Sequence, residues 1–143
     1  PPRKRDEGIV TRPLLIIMLL QGLLIAACTL AVYMLSLYLF NDSIDKGRTM
    51  AFVTLVFCQK FHVYNCRSIF CSVFKVGLFS NKTLNWAVLS IFASQLLIIY
   101  VPALREIFKV TVLGPTDWAI IFIASVQPLI WMEAVKAVWG KRG

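Results

Sequence analysis

Acidic side chains are scarce in this chain, seven Asp and Glu among 143 residues, and the stretch from Leu14 to Phe40 holds none. That gap argues against a small multidrug exporter of the four-helix type, which places an essential Glu in its first span. No CxxC pair occurs, because Cys28, Cys58, Cys66 and Cys71 are spread along the chain. A membrane thiol oxidoreductase, which needs a reactive pair near the outer face, is disfavoured on that count. No initiator Met precedes PPRKRDEGIVTRP, so the chain reads as a piece of a longer polypeptide. Internal repeats and low-complexity segments are missing too.

What is abundant is apolar surface. Hydrophobic residues make up 59% of the chain and charged residues 15%, with a mean hydropathy of +0.76. A soluble domain of this length could not hide that surface in one core. The formal charge of +8 would point to nucleic acid in a soluble protein. Here the basic residues lie between apolar runs, where lipid headgroups and membrane topology explain them, so the partner is a lipid bilayer and not a nucleic acid.

The runs predict an all-α membrane protein with four spans, at about 14–40, 49–66, 86–102 and 118–138. The first is too long for a secretory signal, whose apolar region is about 7 to 15 residues. The lipoprotein-like Ile25-Ala26-Ala27-Cys28 is a chance match, since the run continues to Phe40. NDSIDKGR (41–48) reads as a turn-rich connector, and SIFCSVFKVGLFSNKTL (68–84) as an interfacial or cytoplasm-facing amphipathic connector. Pro102 should end the third span. Trp118, Trp131, Trp139 and Tyr100 fall where interfacial anchors belong. Arg3, Lys4, Arg5, Arg12, Arg67, Lys75, Lys82, Lys136, Lys141 and Arg142 all fall on one side of such a bundle. The opposite connectors balance Lys46, Arg48, Arg105 and Lys109 with Asp42, Asp45, Glu106 and Asp117. The excess of positive charge makes the expected fold an antiparallel four-helix bundle with both termini cytoplasmic.

The second run, RTMAFVTLVFCQKFHVYNCRS, organises the rest, because Gln59, Lys60, His62 and Asn65 interrupt it. A Lys near the centre of a bilayer costs roughly 2.5 to 3.5 kcal/mol on insertion scales, so such residues face protein or water and often mark an ion path. Cys58, His62 and Cys66 share one helical face. They climb that helix over two turns, so at most two would meet one ion, and packing is the favoured role. Asp117 is placed as an N-cap or first-turn acid of the last helix, and Glu133 and Lys136 as a local ion pair.

PPRKRDEGIVTR, Gln21-Gly22, RTMAFVTLVF, NCRS, LLIIYVPALREIF and GPTDW followed by Ser125, Pro128, Leu129, Glu133 and Lys136 occur in order across nearly the whole chain. In this the chain resembles the C-terminal membrane region, helices seven to ten, of the P-type calcium-transporting ATPases, with the secretory-pathway and bacterial pumps as the nearest-looking branches. The resemblance implies a scaffold within an ATP-driven pump that exports Ca²⁺ through a phosphoaspartate. The DKTGT aspartate, the nucleotide and actuator domains and membrane helices one to six, which would be its partners, are not in these residues. This stretch alone implies no cofactor and no catalytic residue; the intact pump would use Mg²⁺ and ATP and carry Ca²⁺ or Mn²⁺. The expected location is the plasma membrane in a bacterium or a secretory-pathway membrane in a eukaryote.

By that resemblance Gln59 stands where the two-site pumps place a Glu ligand. An amide keeps an oxygen but loses a charge, which suggests a weak or missing second ion site; an interhelical hydrogen bond is an equal alternative. Lys60 replaces Leu or Met and His62 replaces Asn. Lys60 is expected to snorkel toward Arg67, with neutralisation of the lost site as the sharper alternative. His62 either titrates or, more commonly in apolar surroundings, hydrogen-bonds uncharged. A free-standing four-helix transporter or an accessory subunit is the reading from another class.

Overall fold

The computed structural model describes residues 12–66 and 82–139, with side-chain placement for 15–63 and 82–135. All described secondary structure is helical. Helix α1 spans Arg12–Met34 and runs into a π-helical turn, Leu35–Leu39. Helix α2 spans Ile44–Cys66, α3 Lys82–Tyr100, the short α4 Pro102–Phe108, and α5 Pro115–Trp139. Most of the connector expected at 68–84 lies outside the described residues, which omit 1–11, 67–81 and 140–143, but its last three residues, Lys82–Leu84, are helical and open α3.

Three of these helices, over Leu15–Leu39, Lys82–Tyr100 and Pro115–Val135, are long and apolar enough to cross a bilayer. Their outward faces carry Leu19, Leu23, Trp86, Leu97, Ile123 and Trp131, each more than half exposed, as lipid-facing helices should. Helix α2, which covers the expected 49–66 span, is long enough at about 35 Å but more polar. It is the central element, packed most extensively against α5 and α1. Met50, Val53 and Phe57 of α2 form the core with Val32, Ile99, Leu113 and Ile121.

Hydroxyl groups inside the helices are satisfied within their own turns. Thr29, Thr54, Ser90, Ser94 and Ser125 each donate to the carbonyl four residues earlier, at 2.6 to 2.8 Å. In hydrocarbon this local bond removes the cost of an unpaired group. Ser125 Oγ also lies 3.4 Å from the Thr54 carbonyl, where two small side chains let α2 and α5 approach.

Element boundaries differ from those expected at informative places. The connector at 41–48 shrinks to Asn41–Ser43, because Ser43 Oγ accepts the Lys46 amide at 3.3 Å and opens α2 as an N-cap. Asn41 turns the chain with φ 50, a left-handed conformation that Asn tolerates better than most residues. Gly47 is helical and serves a close approach. A Cβ there would meet the Tyr33 ring at 3.2 and 3.3 Å and Leu37 at 3.4 Å. Helix α3 starts four residues before Trp86, at Lys82. Pro102 ends it and becomes the first residue of α4, where the missing N–H costs nothing.

One end of the bundle is tied by polar contacts. Lys46 Nζ lies 3.0 Å from Asp42 Oδ1 and 3.1 Å from Asp117 Oδ1. The remaining carboxylate oxygens are also used: Ser36 donates to Asp42 Oδ2 at 2.9 Å, and the Gly114 amide to Asp117 Oδ2 at 2.8 Å. Asp117 is thus the first-turn acid expected, and it links α5 to α2 as well. The Thr111 amide donates to Thr49 Oγ1 at 3.0 Å. Trp118 Nε1 donates to Tyr100 Oη at 2.9 Å, and that hydroxyl donates to the Leu113 carbonyl at 3.1 Å. The end of α1, the start of α2, the end of α3 and the start of α5 therefore meet at one level.

Burial alone would raise the Asp42 carboxyl, but hydrogen bonds from Lys46 and Ser36 outweigh it and hold it below 3.8. The Asp42 hydrogen bond, against the opposing effect of burial and with help from Asp117, raises Lys46 above 10.5. A depressed carboxyl stabilises above its unfolded value and loses that contribution as pH falls through the folded one. A raised ammonium stabilises below its unfolded value and loses it as pH rises through the folded one. Stability should therefore be flat between these limits and fall outside them. Lys46→Met should cost about 2 kcal/mol at neutral pH, as charge-assisted hydrogen bonds are lost, and should reduce the fall below pH 3.8. Thermal unfolding of purified protein across pH checks both. Gly47→Leu should cost about 1 to 3 kcal/mol through overpacking against Tyr33. Gly47→Ala should be near neutral, since a helix-propensity gain of about 1 kcal/mol offsets a small ring displacement.

Candidate functional site

The polar residues of α2 divide between two faces. Phe52, Leu55, Gln59 and Val63 recur at helical spacing and form an exposed stripe directed away from Met50, Val53 and Phe57. Gln59 is the polar residue of that stripe. Its amide therefore points away from α1 and α5, toward whatever covers this side of α2.

Lys60 points elsewhere. Its side chain is 8% exposed, and Nζ sits 4.4 Å from the Phe57 ring centroid and 5.4 Å from that of Phe92 on α3. Among the described residues Nζ has no hydrogen-bond partner. Snorkelling toward Arg67 is thus not what the structure shows, and helix geometry explains why. Cα–Cβ bonds tilt toward the N-terminus of a helix, so a side chain covers the turn before it. From position 60 the ammonium lands over Phe57 and moves away from the C-terminal end. Contact with aromatic faces returns about 2 kcal/mol when desolvated, whereas an uncompensated buried charge costs several. The rings alone do not balance it.

Lys60 also lines an open cleft of about 380 Å³ between α2 and α3, walled by Phe57, Phe61, Leu89 and Phe92 with Asn85 as the other polar residue, while Nζ itself is buried against the rings. The aromatic packing is ordered: Phe57 meets Phe92 edge-on at 5.7 Å and Trp118 at 6.0 Å, and Phe61 meets Phe122 edge-on at 6.0 Å. His62 is half-buried one turn beyond the buried Cys58. Asn65 and Cys66 lie in the last turn of α2, with side chains outside the described residues, and Cys71 lies outside them altogether. Among the described residues no three His, Cys, Asp or Glu side chains converge as a metal site.

Gln59, Lys60 and His62 are therefore carried by one helix but not gathered into one pocket. The Asp42–Lys46–Asp117 bridge was the polar cluster not anticipated from sequence. The spacing of Asp42 and Lys46, four residues apart, was a local signal for half of it. Nothing local announced the link to Asp117.

Comparison with known proteins identifies the family. The family described as "Cation transporting ATPase, C-terminus" matches residues 1–138. Calcium-transporting ATPase 1 of Schizosaccharomyces pombe is 31% identical over 142 residues, 99% of this chain and 16% of that relative. The calcium-transporting ATPase of Bacillus subtilis is 35% identical over 127 residues, 89% of this chain and 14% of the relative. Human calcium-transporting ATPase type 2C member 1 is 33% identical over 140 residues, 96% of this chain and 15% of the relative. The chain thus spans about one-sixth of the length of these relatives. With its three apolar helices, this multi-pass membrane chain belongs to the cation-transporting ATPase C-terminal family and corresponds to the C-terminal membrane region of the P-type calcium pumps.

Proposed function

We propose that the chain is the C-terminal membrane scaffold of an ATP-driven pump that exports Ca²⁺ from the cytosol, with Gln59 lending its amide oxygen to the ion path. The observation that carries this reading is Gln59 on a stripe of the central helix that is exposed among the described residues, in a chain matched by the family over residues 1–138. The bundle has four antiparallel crossings with both termini cytoplasmic. Support comes from α2's length, from the four helix ends meeting at the Lys46 bridge, and from the excess of Lys and Arg on the opposite side. Membrane helices one to six and the cytoplasmic domains would supply the main ion ligands, the phosphorylated aspartate and the Mg²⁺-ATP site. The membrane would be the plasma membrane in a bacterium or a secretory-pathway membrane in a eukaryote.

Calcium prefers several hard oxygens, and an amide supplies an oxygen without charge. One strong site per cycle is the expected consequence, with Gln59 at its edge or in a weakened second site. The test is phosphoenzyme formation by the full-length natural protein in sealed vesicles, with Ca²⁺, Mn²⁺ or no added ion. Ca²⁺-stimulated phosphoenzyme is expected, and the better stimulating ion identifies the cargo. Gln59→Leu should weaken apparent ion affinity by about tenfold, the equivalent of about 1.4 kcal/mol, without changing ATP affinity. Gln59→Glu should strengthen ion affinity or raise the number of ions per ATP. Stability losses in both variants with ion affinity unchanged would assign Gln59 to helix packing. A natural product that forms no phosphoenzyme with any ion would favour an accessory membrane subunit.

A further inference from the structure

The Lys60 ammonium occupies an unusual depth. Phe57, over which it lies, is halfway along the stretch 48–66, about 13 Å from either end at 1.5 Å per residue. On α3, Phe92 is about 15 Å beyond Lys82. With 48–66 taken as the second span, this buried ammonium falls near mid-bilayer, beside an apolar cleft that Lys60 helps to line, with no hydrogen-bond partner among the described residues.

Among the described residues no acid supplies its counter-charge, and Asp6 and Glu7 lie outside them. Asp42, Asp45 and Asp117 are engaged with Lys46 and Arg48 at the start of α2. Glu106 is exposed on α4, Glu133 lies on α5, and the stretch 67–81 has no acidic residue in its sequence. A lipid phosphate is poorly suited to the position, because reaching Phe57 would draw an ionised headgroup about 13 Å into hydrocarbon. A carboxylate carried on a helix can sit at that depth, since the helix satisfies its own backbone. The relatives matched here are about six times longer than this chain, so most of such a polypeptide lies outside it.

We infer that the cleft between α2 and α3 seats an apolar membrane helix from the rest of the pump, whose carboxylate forms an ion pair with Lys60 at mid-bilayer depth. This rests on the pump reading above. Phe57, Phe61, Leu89 and Phe92 would receive the helix's apolar side chains, and the two rings at the ammonium would exclude water from the pair. Lys60 acts here as a positioning residue: it fixes the register and rotation of the incoming helix against α2, on a different face from Gln59.

The experiment uses the full-length pump. Lys60→Met is combined in turn with neutralisation of each membrane-embedded Asp or Glu, changed to Asn or Gln, and thermal stability in detergent is measured beside Ca²⁺-dependent phosphoenzyme formation. Lys60→Met alone should weaken stability strongly. Adding the neutralisation of one particular carboxylate should restore it, although that neutralisation is harmful when Lys60 is present. Lys60→Arg should retain the pairing, which keeps the test informative if Lys60→Met does not fold. Strictly additive losses for every acid would overturn the inference. So would a Lys60→Met defect that vanishes when vesicles of anionic phospholipid are replaced by zwitterionic ones, which would assign the cleft to a net-anionic lipid headgroup. Restoration is read from stability alone, so the pair can succeed or fail independently of whether the wild type forms a phosphoenzyme.

Discussion

Hydrocarbon offers no hydrogen bonds, and that single constraint governs how α2 is placed. A helix carrying Thr49, Thr54, Gln59, Lys60 and His62 along its length cannot be surrounded by lipid without leaving polar atoms unpaired. It takes the centre of the bundle, with α1 and α5 covering its Met50–Val53–Phe57 face. The more uniformly apolar α1, α3 and α5 are left to meet the acyl chains. Polarity, not hydrophobicity, decides which helix is inside.

The same constraint separates the roles of neighbouring residues. Adjacent positions on a helix are about 100° apart, so Gln59 and Lys60 address different surroundings despite being consecutive. Gln59 faces the open apolar stripe and Lys60 the aromatic cleft beside α3. Chemistry at one position can therefore change without dictating the other.

Much of this was legible in the sequence because it is local. Polar interruptions marked α2 as the organising helix, Pro102 marked the end of α3, and the ordered family-like segments marked the family. The start of α2 was obscured because Asn41, Asp42, Ser43 and Gly47 look like a turn; Ser43 instead caps the helix, and Gly47 makes room for Tyr33. The π-helical turn at Leu35–Leu39 leaves no compositional mark. The Lys46–Asp117 bridge depends on the relative register of two helices remote in sequence, which no pattern within either reveals. Lys60 was misjudged by distance along the chain to Arg67, when the tilt of its Cα–Cβ bond governed where the ammonium went.

The bridge has a mechanical consequence. Lys46, Thr49, Tyr100, Thr111 and Asp117 hold the helices together at one rim, whereas the described contacts farther along are mostly apolar, the Ser125–Thr54 contact apart. Any tilt of helices pinned in this way would turn about the rim. For helices about 35 Å long, each degree of tilt there would move the far end by about 0.6 Å, so small angular adjustments at the rim would become large lateral displacements on the opposite side of the membrane.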